Sequence, residues 1–127
     1  MALQIANSES NGTLSISLVG DRTIKKLNKA YMGKNRATDV LSFGVLSSFK
    51  TSKKTLGDII ISVDTAKHNA KVAGVTVREE LIRLVVHGVL HLLGYDHEAG
   101  AGKAASQKMF DLQEKITKKV IWKLSQN

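Results

Sequence analysis

Apolar and polar positions alternate from Thr13 to Val19, with Leu14, Ile16 and Leu18 on one side and Ser15 and Ser17 on the other. This period of two predicts a strand with one buried face. Asn11-Gly12 is a turn signal just ahead of it, and Ala2 to Ala6 predicts a short strand before that turn. The period then changes. Ile24, Leu27 and Tyr31 form one stripe of a helix over Arg22 to Met32, with Asp21 as N-cap and Gly33 as its stop. Thr38 to Phe43 reads as a strand and Val45 to Lys54 as a Ser/Lys-rich loop. Leu56 to Ser62 follows as another strand, whose run Ile59-Ile60-Ile61 suits coverage on both faces.

The second half is helical. A helix begins at Ser62 or Asp64 and runs to about Ala73, where Gly74 stops it. Thr76 with Glu79 three residues on is a capping box for a helix over Val77 to Leu93, roughly 25 Å long at the usual rise. Leu81, Leu84, Val85 and Val89 pack that helix down. Ala99 to Ala105 reads as a loop or lead-in to a final helix from Ser106 to about Leu124. Its buried stripe is Met109, Leu112, Ile116 and Val120, and Lys115, Lys118, Lys119 and Lys123 suit its C-terminal end. Strands early and long helices late indicate one α+β domain over residues 1–127, a small mixed β-sheet packed against helices.

The candidate chemistry sits in Val86 to Glu98, V-H-G-V-L-H-L-L-G-Y-D-H-E, which holds three of the 4 histidines. His87 and His91 are four apart, about 40° from each other around a helix axis. Gly94 after Leu92-Leu93 asks for a left-handed cap, after which His97 can face the other two. Three converging imidazoles form a borderline-soft nitrogen site that suits Zn²⁺, with Ni²⁺, Cu²⁺ or Fe²⁺ possible by affinity. Structural zinc sites are usually closed by four protein ligands, most often including Cys, and the chain has no Cys. An open tri-His site therefore reads as catalytic, working through acidified water or polarisation of the substrate. Asp96, beside the third His, either orients a ligand from the second shell or is a turn residue. His68 lies among Lys67 and Lys71 and reads as a solvated surface residue. The histidine and glycine spacing also matches the metzincin motif H-E-x-x-H-x-x-G-x-x-H, but Gly88 replaces the Glu that serves as general base, which disfavours a peptidase.

Composition adds a partner. The formal charge is +8 over 127 residues. Arg22, Lys25, Lys26, Lys29, Lys34, Arg36, Lys50, Lys53 and Lys54 crowd the stretch from Asp21 to Lys54, against Asp21 and Asp39 alone. Such a surface attracts nucleic-acid phosphates. With no long apolar run and no signal peptide, the chain is expected to be soluble, off the membrane and, being free of Cys, at home in a reducing cytoplasm.

The run H-G-V-L-H-L-L-G-Y-D-H resembles the signature of the YbeY-type endoribonucleases, the rRNA maturation factors of bacteria. Leu27-Asn28, Tyr31 to Phe43, Leu56 to Ile59 and Met109 to Gln113 follow in the family's order, so the similarity spans roughly Leu14 to Ile116. The resemblance implies a zincin-like helix holding one Zn²⁺ per chain through His87, His91 and His97. It implies cleavage of single-stranded RNA in maturation of the small-subunit rRNA 3′ end and in ribosome quality control, with the ribosome and its proteins as partners. Lys34, Arg36, Thr38 and Asp39 are the expected substrate-binding positions. For Thr38, Asp39 and Asp58, strand-end hydrogen bonding is the simpler reading. Tyr31 is most simply helix packing, and Asn28 a cap or crosslink near the site. Relatives usually carry a longer N-terminal region with its own helix. They also carry an Arg directly after the Tyr of Y-x-G-K, where this chain has Met32; Asn35 stands where Asp is frequent, and Ala37 and Gly44 where Pro is common. Met32 offers neither charge nor donor. Besides the nuclease, two readings therefore stand: a metal-dependent hydrolase of another substrate, or an RNA- or ribosome-binding factor with weak cleavage.

Overall fold

The computed structural model describes residues 2–6, 11–44, 55–95 and 102–126. Strands β1 (Ala2–Ala6) and β2 (Asn11–Val19) are followed by helix α1 (Asp21–Met32), strands β3 (Val40–Gly44) and β4 (Thr55–Ser62), and helices α2 (Val63–Ala73), α3 (Val77–Leu92) and α4 (Gly102–Ser125). The sheet order is β1-β2-β4-β3. β2 pairs with β4 in parallel, while β1 with β2 and β3 with β4 are antiparallel. The sheet is mixed and the domain α+β, as the pattern of elements predicts.

β4 is interior to the sheet and is covered on both faces, which is why its isoleucines run almost without interruption. Side chains alternate across a strand. Ile59 and Ile61 join Leu14, Ile16 and Leu84 in the core beneath α2 and α3. Ile60 faces the other way, with Leu41, Phe43 and Ile24 beneath α1. A third cluster, Val86, Leu90 and Met109, seals α4 onto the far side of α3. Among the described residues no helix is long and apolar enough to cross a membrane.

Four expectations are corrected. Leu18 keeps the parity of Leu14 and Ile16 but is 44% exposed, because the cluster that buries the other two does not reach the end of β2. Asp21 is the first residue of α1 rather than its N-cap; Gly20 holds that place, and the carboxylate of Asp64 on α2 accepts the Asp21 backbone N–H at 2.9 Å. β3 starts at Val40 rather than Thr38, and α4 starts at Gly102 rather than Ser106. The loop expected over Val45 to Lys54 lies outside the described residues. Of the two starts open for α2, Ser62 is the N-cap, and the Thr76–Glu79 capping box of α3 forms as expected.

Candidate active site

The position of the histidines follows from how α3 is wedged between the sheet and α4. Gly88 faces the sheet: a Cβ there would stand 2.8 Å from Ile59 Cδ1 and 3.0 Å from Ser42 Oγ. Val86 and Leu90 face α4. Successive residues turn by about 100° around the axis, so His87 and His91 occupy the flank between these two buried directions. The side chain that could have filled the metzincin base position is thus excluded by packing, and glycine is what lets helix and sheet approach.

The end of α3 is equally explicit. Gly94 adopts φ 91°, its N–H bonds to His91 O at 3.0 Å and that of Tyr95 to Leu90 O at 2.9 Å. This is a Schellman turn, which reverses the chain directly after the second histidine. His97 and Asp96 follow it and lie outside the described residues. Among the described residues no three His, Cys, Asp or Glu side chains gather into a metal-binding group.

The two helical histidines do converge. Their rings are 4.4 Å apart between centroids at 71°, and the Nε2 atoms are 2.9 Å apart. Two nitrogens at 2.0–2.1 Å from one tetrahedral zinc would stand roughly 3.4 Å apart, so a small rotation of either ring fits the pair to one ion. On its other side His87 donates Nδ1–H to Gln113 Oε1 at 2.5 Å, while the Gln113 amide nitrogen donates to Glu114. With the proton on Nδ1, the Nε2 lone pair is directed toward His91. Burial pushes the His87 ring below its ordinary 6.5, opposed by the Gln113 bond and reinforced by His91. The neutral ring is the form that ligates a metal.

A polar chain supports this contact. Arg83 donates from Nε and Nη2 to the two oxygens of buried Glu80, each at 2.9 Å, and Nη1 lies 3.7 Å from Glu114. The Glu80 hydrogen bonds hold the guanidinium pKa above its usual range. The sequence places Gln113 only at the end of the family-like run Met109 to Gln113, without a role, and gives no reading of the Glu80–Arg83 pair. The available signal was polar Gln113 and Thr117 at four-residue intervals from buried Met109, on a stripe that is otherwise apolar.

Two openings flank His87. A cleft of about 590 Å³ is lined by Met32, Lys34, Val40, Ser42, His87 and His91, among others. A smaller slot of about 290 Å³ lies between α3, α4 and the approach to β3. Lys34 is therefore at the cleft, and so is Met32. Arg36 is exposed and lines neither opening; its carbonyl accepts from the buried Asn28 side chain at 2.9 Å, while Asn28 O takes the Lys34 N–H at 3.2 Å. Asn28 thus pins the segment that carries Lys34, the crosslink expected of it. Asp39 makes the expected strand-end hydrogen bond, its carbonyl accepting Ser62 N–H at 2.9 Å, and it lines the slot beside His87. Thr38 bonds only weakly to Asp39, at 3.4 Å. Tyr31 is half exposed, edge-on to Phe43 at 5.7 Å, and His68 is exposed.

A mixed sheet crossed by a helix with two histidines at its C-terminal end, closed by a glycine turn, is a zincin-like α+β domain. The chain belongs to the YbeY family: the family model described as Endoribonuclease YbeY matches residues 1–121. It is 46% identical over 114 residues to the Endoribonuclease YbeY of a Sulfurihydrogenibium species, covering 90% of this chain and 74% of that protein. Against the Aquifex aeolicus protein of the same name it is 43% identical, covering 87% of this chain and 71% of the relative. The solution structure of a Thermotoga maritima protein matches with a TM-score of 0.61 at 33% identity, covering 90% of this chain and 71% of that one.

Proposed function

We propose that the protein is a zinc-dependent, single-strand-specific endoribonuclease that acts in the cytoplasm on rRNA, at the small-subunit 3′ end, and in ribosome quality control. The observation that carries this reading is the pair of Nε2 atoms 2.9 Å apart in a cleft shared with Lys34. Membership of the YbeY family supports the RNA substrate. His87 and His91, joined by His97 beyond the glycine turn, would hold the ion, which supplies a Lewis acid for the phosphodiester.

The chain's own residues do the rest. Gln113 keeps the His87 proton off Nε2. Lys34 attracts the phosphate backbone to the cleft, and Asn28 fixes the segment that carries it. Gly88 leaves no general base at the metzincin position, which argues against a peptidase. Met32 at the cleft favours one second reading, an RNA- or ribosome-binding factor with weak cleavage, because a thioether gives a phosphate no donor.

Cleavage of a short single-stranded RNA by zinc-loaded protein tests the proposal, beside a chelated sample and a His91→Ala variant. Cleavage lost in both controls is expected. Zinc-loaded protein that binds RNA but leaves it intact would overturn the nuclease in favour of the binding factor.

A further inference from the structure

We infer that the slot on the Gln113 side of His87 receives an unpaired nucleobase of the substrate strand, with Phe110 as its stacking platform and Asp39 as the acceptor that reads its edge. This rests on the nuclease reading above.

The slot and the phosphate cleft share one wall, His87: its Nε2 contacts His91, which lines the cleft, and its Nδ1 bonds Gln113, which lines the slot. A strand whose phosphate lies at the histidine pair therefore has a neighbouring nucleotide within reach of the slot. Leu84 and Met109 make its floor apolar, and Phe110, 51% exposed on α4, stands at its wall. A large aromatic kept half in solvent at the rim of such a slot is the arrangement on which unstacked bases are held.

Charge decides between base and phosphate. Among the described residues the slot is lined by one carboxylate, Asp39, and one guanidinium, Arg83, whose Nε and Nη2 are already committed to buried Glu80 and whose Nη1 lies 3.7 Å from Glu114. With that positive charge engaged, the slot offers a phosphate no free cation to offset Asp39, whereas a neutral base can enter. The basic side of the site is the other one, at Lys34. Asp39 accepts hydrogen bonds and, when ionised, cannot donate. It selects bases that present donors: guanine, with N1–H and N2–H side by side, ranks first, and cytosine and adenine offer their amino groups. Uracil presents one N–H between two carbonyls that face the carboxylate with like polarity, so it ranks last.

The test uses the zinc-loaded protein on a random-sequence single-stranded RNA pool, with cut positions mapped, and titration of guanosine and uridine followed by NMR. Expected are guanine enriched over uracil at one fixed position beside the cut, and guanosine-induced shifts at Phe110 and Met109 that uridine does not produce. Phe110→Ala should raise KM roughly 5- to 150-fold, the usual range for one stacked base, with kcat little changed and with Phe110→Trp restoring it. Asp39→Asn should flatten the base preference. A wild type that cuts RNA without base preference, and a Phe110→Ala variant with unchanged KM, would overturn the slot. Guanosine shifts in a protein that cuts no RNA would sustain the slot while removing the nuclease.

Discussion

Gln113 of α4 accepts the Nδ1 proton of His87 on α3, so one helix sets the tautomer of the other helix's histidine. Partners of this kind typically contribute 10- to 100-fold in metal affinity. Gln113→Leu is expected to weaken zinc binding by about that factor. The ¹⁵N shifts of the His87 ring should at the same time move toward a mixture of tautomers. Gln113→Glu keeps an acceptor and should retain binding. Zinc affinity unchanged in Gln113→Leu would refute the role.

Gly88 is where α3 meets the sheet. Ile59 is fully buried and Ile59 Cδ1 would lie 2.8 Å from an added methyl, so neither side can yield freely. Gly88→Ala is expected to cost about 1–3 kcal/mol, the usual range for overpacking, read as a lower denaturant midpoint with an unchanged slope. Gly88→Glu should unfold the protein rather than create a peptidase. A stable Gly88→Glu variant would show that the packing here is looser than the distances say.

Met32, at the end of α1, lines the same cleft as His87 and His91. A guanidinium there would give the phosphate a charge-assisted donor that methionine lacks. Met32→Arg is expected to raise cleavage of single-stranded RNA at least roughly 10-fold, since single preorganised donors typically contribute 10²–10³ in kcat. Cleavage no faster than wild type would mean that the cleft already meets the phosphate elsewhere, with Lys34 the first residue to substitute.

Asp21 and Asp64 cross-link the starts of α1 and α2. Asp64 accepts the Asp21 backbone N–H, and Asp21 Oδ1 accepts from Ser62 Oγ and Thr65 Oγ1. Those hydroxyl bonds, Ser62 first, hold the Asp21 pKa below its ordinary 3.8. A carboxylate with a depressed folded pKa stabilises above its unfolded value and ceases to as pH falls through the folded one. Wild type should therefore melt higher than Asp21→Asn at neutral pH, and the gap should close only below about pH 3.8. Asp64→Ala, which removes the acceptor at the start of α1, is expected to cost about 1 kcal/mol.

Local signals were legible wherever a residue and its near neighbours decide the outcome. The capping box at Thr76, the turn at Gly94 after the histidines and the alternation of Leu14 and Ile16 are all set within a few residues. So was the facing of His87 and His91, because helical geometry alone puts residues four apart on one side. The resemblance of the His87 to His97 run to a family pattern likewise needed only spacing.

What the tertiary structure decided is everything that depends on residues far apart in the chain. Asp21 looked like a cap because it precedes a helix, but its carboxylate was taken by Ser62 and Thr65, and Asp64 from across the fold took over the N–H. Leu18 had the right parity but lies beyond the cluster that buries Leu14 and Ile16. Gln113 sits 26 residues from His87 along the chain and reaches it only because Val86, Leu90 and Met109 pack α4 onto α3. Sequence alone determined that His87 and His91 share one helix face and which segments were helix or strand, since those are short-range properties of the backbone. The second partner of His87, the shape of the two openings and the reason for Gly88 came from long-range apolar packing, whose pairings no local pattern specifies.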